Sequence, residues 1–225
     1  MCGRFALDLS MDALILEFLA SSTRFPEWVP RWNIAPTSTI PIVVTTSDGQ
    51  RIIGPAHWSL IPSWSPQLTL TYPTFNARSE TAAEKPTFRD ALKSTRCLIP
   101  VSGYYEWSGE AGAKTPYYLF PDNHRVAALA GLYSWWTNPA DGIAMATTTI
   151  VTRSSVGCAA EVHDRMPVIL DVADVDTWLD PGVSGASLLE SMSAKAGDLI
   201  AGWSYHRVNA VRGEGAHLVK DITSS

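Results

Sequence analysis

The chain has 225 residues, 46% hydrophobic and 17% charged, an ordinary globular balance with enough apolar material to bury a sizeable core. No run approaches the roughly eighteen apolar residues that span a bilayer, and no positive segment leads into an apolar one at the N-terminus, so a cytosolic protein is expected and membrane insertion or secretion is not. The net charge of −5 lacks the basic footprint common in nucleic-acid binders, and the three cysteines, Cys2, Cys97 and Cys158, have spacings that fit neither a disulfide framework nor a CxxC-type zinc site, so no metal and no cofactor is expected.

In chain order, Ser10 precedes Met11, Leu14, Ile15, Phe18 and Leu19 on one helical face, which predicts an amphipathic helix over 11–20. Two apolar segments, 39–46 and 51–58, flank Ser47-Asp48-Gly49-Gln50 and predict a hairpin with Asp-Gly in its turn. Strands are predicted at 96–107, 115–120, 126–135 and 144–152, with a late one over 199–211. Short helices fit 87–94, with Thr87 as cap, 173–179 and 186–195. No repeat or linker divides residues 1–225, and one α+β domain rich in antiparallel sheet is expected.

Removal of Met1 would leave Cys2 as the amino terminus, a residue with two nucleophiles. Near neutral pH about a quarter of an α-amine is unprotonated, against about 0.1% of a lysine amine, and an unperturbed thiol is a few per cent thiolate. A 1,2-aminothiol condenses with an aldehyde to an imine, and its sulfur then closes a thiazolidine ring. An aldehyde is the first substrate to consider, although Cys2 alone is equally read as whatever residue follows the start.

Three polar clusters could serve it. In TFNARSET, 74–81, Asn76 and Arg78 would point the same way on an extended chain, an amide beside a phosphate-binding guanidinium, or else part of a solvated edge. In GYYEW, 103–107, Glu106 closes an otherwise apolar strand, where desolvation would suit it to proton transfer; the alternative is a structural glutamate on a wet face. In EVHDRMPVIL, 161–170, His163 sits beside Asp164 and Arg165 as proton carrier or as a structural histidine. Arg4, Arg31, Arg78, Arg89, Arg96, Arg153 and Arg165 suit forked phosphate contacts. Of nine tryptophans, including Trp58, Trp64 and Trp107, most should be core, and an exposed one would offer a stacking surface for a base.

Taken together, MCGR, WNIAPT at 32–37, HWSLIPSW at 57–64, FNARSET at 75–81, RCLIPVSGYYEW at 96–107 and VHDRMPVIL at 162–170 closely resemble, in order, the SRAP family of abasic-site processing proteins, also called SOS response-associated peptidases. The similarity covers residues 2–210, leaving a short C-terminal tail. The resemblance implies a bifurcated, partly barrel-like antiparallel sheet surrounded by helices. It implies a monomer that binds abasic sites in single-stranded DNA, joining the nucleoid when DNA is damaged, and crosslinks to the open-chain sugar aldehyde through Cys2. By similarity, Cys2 would be the nucleophile, Asn76 would orient the adduct, and Glu106 and His163 would move protons. Arg4 and Arg78 match phosphate-holding positions, Trp64 and Trp107 would stack or wedge near the lesion, and Thr152 is a weaker backbone contact. Lyase activity is a further expectation, and Met1 would be removed either by self-processing, as the family's peptidase name implies, or by a methionine aminopeptidase.

Two rivals come from other classes. N-terminal-nucleophile amidotransferases also begin Met-Cys-Gly, but the arginine-glycine-proline-aspartate and asparagine-glycine-glutamate motifs they use downstream are missing here. A non-catalytic single-strand binder would use the aromatics and arginines and leave Cys2 incidental.

Overall fold

A computed structural model describes residues 2–110 and 112–222. In chain order the elements are β1 (Phe5–Leu7), α1 (Met11–Glu17), β2 (Ser22–Thr23), β3 (Arg31–Ile34), β4 (Thr39–Thr45), β5 (Arg51–Trp58), β6 (Asn76–Arg78), α2 (Arg89–Ser94), β7 (Arg96–Val101), β8 (Gly103–Ser108), β9 (Thr115–Pro121), β10 (Ala127–Thr137), β11 (Ala144–Ser154), α3 (Gly157–Ala160), β12 (Arg165–Pro167), β13 (Ile169–Leu170), α4 (Val175–Leu179), α5 (Gly185–Leu199) and β14 (Trp203–Arg207).

Two sheets share the core. One has the order β14-β9-β8-β1-β3. The other runs β12-β11-β10-β7-β4-β5-β2, and a parallel pairing of β5 with β11, His57 opposite Thr147, closes five of its strands into a barrel. The expected bifurcated, barrel-like α+β fold is therefore present. Leu98, Leu129, Leu132, Ile150 and Ile53 are fully buried in the main core.

Local chemistry explains several boundaries. The Ser10 side chain accepts the Ala13 N–H at 3.3 Å and starts α1. The helix ends in a left-handed Leu19 at φ +50, with Ala20 N–H on Ile15 O at 2.9 Å and Leu19 N–H on Leu16 O at 3.4 Å, the Schellman pattern. The β4–β5 hairpin turns at Gly49 with φ +81, a conformation that glycine adopts without penalty.

The structure departs from expectation at several points: α1 ends at Glu17, which leaves Leu19 outside the helix and 80% exposed instead of on its apolar face, and three other differences have local causes. The single strand expected over 96–107 is two strands in different sheets, because the chain turns at Ser102, whose N–H bonds Ala6 O at 2.8 Å. Thr87 does not cap α2: its hydroxyl pairs with the Tyr72 hydroxyl at 2.8 Å, and Phe88 at the cap position makes no side-chain cap bond. The late strand is confined to Trp203–Arg207, since residues 200–202 form a 3-10 turn continuing α5.

One residue fastens the two sheets where the site lies. Trp58 is fully buried, its Nε1–H donates to Phe75 O at 2.9 Å, and its ring meets Phe5 edge-on at 5.0 Å. The segments that follow Cys2 and precede Asn76 thus pack on one indole.

Candidate active site

Cys2 enters along β8. Tyr105 N–H donates to Arg4 O at 2.8 Å and Phe5 pairs with Tyr104, which lays residues 2–4 beside the strand that carries Glu106. Alternation along β8 directs Tyr104 and Glu106 to one face and Tyr105 and Trp107 to the other. Glu106 is only 3% exposed.

Asn76 arrives from β6. Parallel pairing with β11 sets Asn76 opposite Ile150 and Arg78 opposite Thr152, burying Ala77 between them and leaving Asn76 half-buried and Arg78 exposed. Asn76 Nδ2 donates to the Cys2 carbonyl at 2.9 Å, while its Oδ1 is buried with no hydrogen-bond partner among the described residues.

His163 follows α3, its N–H bonded to Ala159 O at 3.0 Å. Its Nε2 lies 3.9 Å from Glu106 Oε2. On the other side of the ring, Nδ1 is 3.0 Å from the Arg165 backbone N–H and 2.8 Å from the Asp164 carboxylate. These neighbours suit different protonation states: a neutral Nε2–H ring accepts from Arg165, whereas an imidazolium donates to Asp164. Nε2 is the ring nitrogen on the Glu106 side.

The electrostatics revise one expectation. Cys2 is fully buried, and that burial, reinforced by the Glu106 charge and partly offset by the Arg4 backbone N–H, pushes the thiol well above its ordinary range. Cys2 thus rests as a neutral thiol, not the few per cent thiolate of an exposed cysteine. Burial, followed by Cys2 and Glu106, likewise holds the Tyr104 phenol protonated, and its hydroxyl has no hydrogen-bond partner among the described residues.

Beneath the site, Arg165 forks onto Glu80 at 2.7 and 2.9 Å and bonds Thr152 O at 2.8 Å. The Arg165 fork brings the Glu80 carboxyl down to about 2. Thr152 is fully buried, with its hydroxyl 3.3 Å from Arg165 Nη2 and 3.5 Å from Ala77 O, so it braces the β6–β11 junction instead of facing DNA. Arg96 is also internal, donating to Leu92 O at 2.8 Å, Lys93 O at 2.9 Å and Trp178 O at 2.7 Å.

Cys2, Asn76, Glu106 and His163 therefore come together. Arg4 and Arg78 flank them on β1's lead-in and β6. Trp64 is 57% exposed in the loop between β5 and β6, and Trp107 is half-buried. Met1 lies outside the described residues. Sequence reasoning missed the Glu80–Arg165 fork and the Arg4–Asn33 contact at 2.5 Å, neither of which has a local sequence signature. Among the described residues no group of three or more His, Cys, Asp or Glu could hold a metal, and no helix is long and apolar enough to cross a membrane.

A profile of the SOS response associated peptidase (SRAP) family matches residues 1–211. The chain is 36% identical over 194 residues to the abasic site processing protein YoqW of Bacillus subtilis, a match covering 85% of this chain and 86% of that one. It is 31% identical over 230 residues to the abasic site processing protein HMCES of Pongo abelii, covering 81% of this chain and 65% of the relative. A crystal structure of a Bacteroides thetaiotaomicron protein superposes with a TM-score of 0.78 at 22% identity, covering 98% and 99% of the two chains.

Proposed function

Because the chain belongs to the SOS response associated peptidase family, we propose that it processes abasic sites in single-stranded DNA by forming a thiazolidine crosslink through Cys2 once Met1 has been removed. The observation that carries this reading is the convergence of four groups: Asn76 on the Cys2 carbonyl at 2.9 Å, and His163 on Glu106 at 3.9 Å, beside the Cys2 thiol.

Each group has a step. His163 protonates the ring oxygen of the closed sugar while a solvent water takes the 1-hydroxyl proton, which breaks the C1′–O4′ bond and opens the hemiacetal to the aldehyde. The α-amine of Cys2 adds to C1′, and loss of water leaves an imine. The neutral thiol then adds to the imine carbon: the sulfur–carbon bond forms, the C=N π pair moves to nitrogen, and Glu106 takes the thiol proton and delivers it to that nitrogen. Asn76 Nδ2 fixes the Cys2 carbonyl, and Oδ1 can accept from the attacking amine. Arg4 and Arg78 hold phosphates, and Trp64 stacks on a base.

The imine also acidifies C2′, so β-elimination of the 3′ phosphate, a lyase reaction, competes with ring closure. Cys2 is buried in the chain that still carries Met1, and removal of Met1, by self-processing or by an aminopeptidase, is the step that generates the amine. Incubation with an abasic single strand should give a heat-stable shifted band that an intact strand does not. Glutamine hydrolysis without such a band would instead support an amidotransferase. Intact mass establishes whether Met1 is gone, and full-rate crosslinking by protein that retains Met1 would exclude the α-amine as the attacking group.

A further inference from the structure

The side-chain amide of Asn33, on β3, bridges two distant parts of the chain. Its Oδ1 accepts from Arg4 Nη1 at 2.5 Å and its Nδ2 donates to Gly213 O at 2.7 Å. Gly213 belongs to a C-terminal strap on the face of the five-stranded sheet that carries Tyr105 and Tyr118. Leu218 of the strap is 1% exposed in a cluster with Ala6, Tyr105 and Tyr118. Glu214 accepts from Arg31 Nε at 3.2 Å and from Trp32 N–H at 3.0 Å. Apolar burial and polar bonds together anchor the strap, which lies beyond residue 211, where the family match stops.

An amide bonded at both ends cannot turn over without breaking one of its bonds. Asn33 therefore fixes Arg4 Nη1 in one place. Nη1 is the guanidinium nitrogen on the Cδ side, and Nε is buried without an acceptor among the described residues. Nη2 is therefore the nitrogen left to face a partner, and its N–H bonds suit an anionic phosphate oxygen.

The geometry points to Asn33 as a positioning residue for phosphate recognition: held from behind by the strap, it pins Nη1 and so sets the direction in which Nη2 of Arg4 meets a DNA phosphodiester. This rests on the proposed reading of Arg4 as a phosphate contact. It also gives the strap a part in binding, although no strap side chain needs to touch DNA.

The test is equilibrium binding of an undamaged, fluorescent single-stranded oligonucleotide across a salt series, which no covalent adduct can obscure. Arg4→Ala should weaken binding and reduce the slope of log affinity against log salt by about 0.7, the loss of one phosphate contact. Asn33→Ala should weaken binding about three- to tenfold, and this loss should vanish in the Arg4→Ala background. The adduct rate at saturating abasic DNA should not change. Asn33→Asp keeps the shape and an acceptor but sets a carboxylate in competition with phosphate, and should lower affinity at least as far. An equal Asn33→Ala penalty with and without Arg4, or no penalty, would overturn the inference. An unaltered affinity and salt slope in Arg4→Ala would instead overturn the reading of Arg4 on which it rests. Should Asn33→Ala fail to fold, Asn33→Asp decides alone, and wild-type affinity in it overturns the inference.

Discussion

Glu106 occupies a position that a purely structural carboxylate avoids, 3% exposed on an apolar strand and facing an imidazole at 3.9 Å. The account gives it the thiol proton during ring closure. Glu106→Gln keeps the shape but cannot take that proton, so adduct formation should slow by about 10²–10⁴-fold, with unchanged affinity for an undamaged strand. A decrease of less than tenfold in single-turnover crosslinking would remove Glu106 from the proton path. The oddity of this residue is visible in sequence, where a carboxylate ends an apolar run. The convergence is not, because Asn76 lies 74 positions from Cys2 and Arg165 lies 85 from Glu80, and no local pattern records such pairings. The neutral state of the thiol was equally illegible, since it follows from burial by segments distant in the chain.

At the scale of elements, β8 places Glu106, and its first residue has no room for a side chain. A Cβ on Gly103 would lie 2.5 Å from Leu119 O and from the Tyr118 ring, so β9 would have to move. Gly103→Ala should destabilise by about 1–3 kcal/mol and slow crosslinking by shifting Glu106; an unchanged denaturation midpoint would contradict this close packing. Leu19 makes the opposite case. It is 80% exposed with φ +50, so Leu19→Gly loses little burial and removes left-handed strain, and should stabilise by about 1 kcal/mol in chemical denaturation. A loss of stability would mean that the exposed side chain packs in a way the exposure denies. The hairpin over 39–58 was legible because two apolar segments flank an Asp-Gly turn. The break at Ser102 was not, since both halves are apolar and only the choice between sheets separates them. Strands of three or four residues, such as β1, β3 and β6, are too short to show a period.

The molecule as a whole carries its charge balance into its pH behaviour. Burial lifts the Cys97 thiol to about 12 and pushes the Cys2 thiol and the Tyr104 phenol well above their ordinary ranges, so the folded state keeps protons that the unfolded chain releases above about 9 to 10. Stability from these groups is complete below pH 9 and declines as the pH rises above it. On the acid side, the Arg165 fork lowers Glu80 from 4.5 to about 2, so its contribution is present above pH 4.5 and is lost as the pH falls toward 2. Thermal melts should decline above pH 9, and Glu80→Gln should flatten the acid limb; a melting temperature unchanged between pH 8 and 11 would contradict the alkaline half. The acidic net charge of −5 confines DNA affinity to local arginines, so binding should be modest and salt-sensitive.

In the proposed reaction one residue, Cys2, supplies both the amine and the sulfur of the adduct. The most direct measurement compares wild type with Cys2→Ala, both freed of Met1, on an abasic single strand, following heat-stable adduct and strand cleavage together. Wild type should give a persistent adduct, and Cys2→Ala no persistent adduct with some cleavage retained, because the alanine amine still forms the imine. An equally persistent adduct in Cys2→Ala would contradict that reaction.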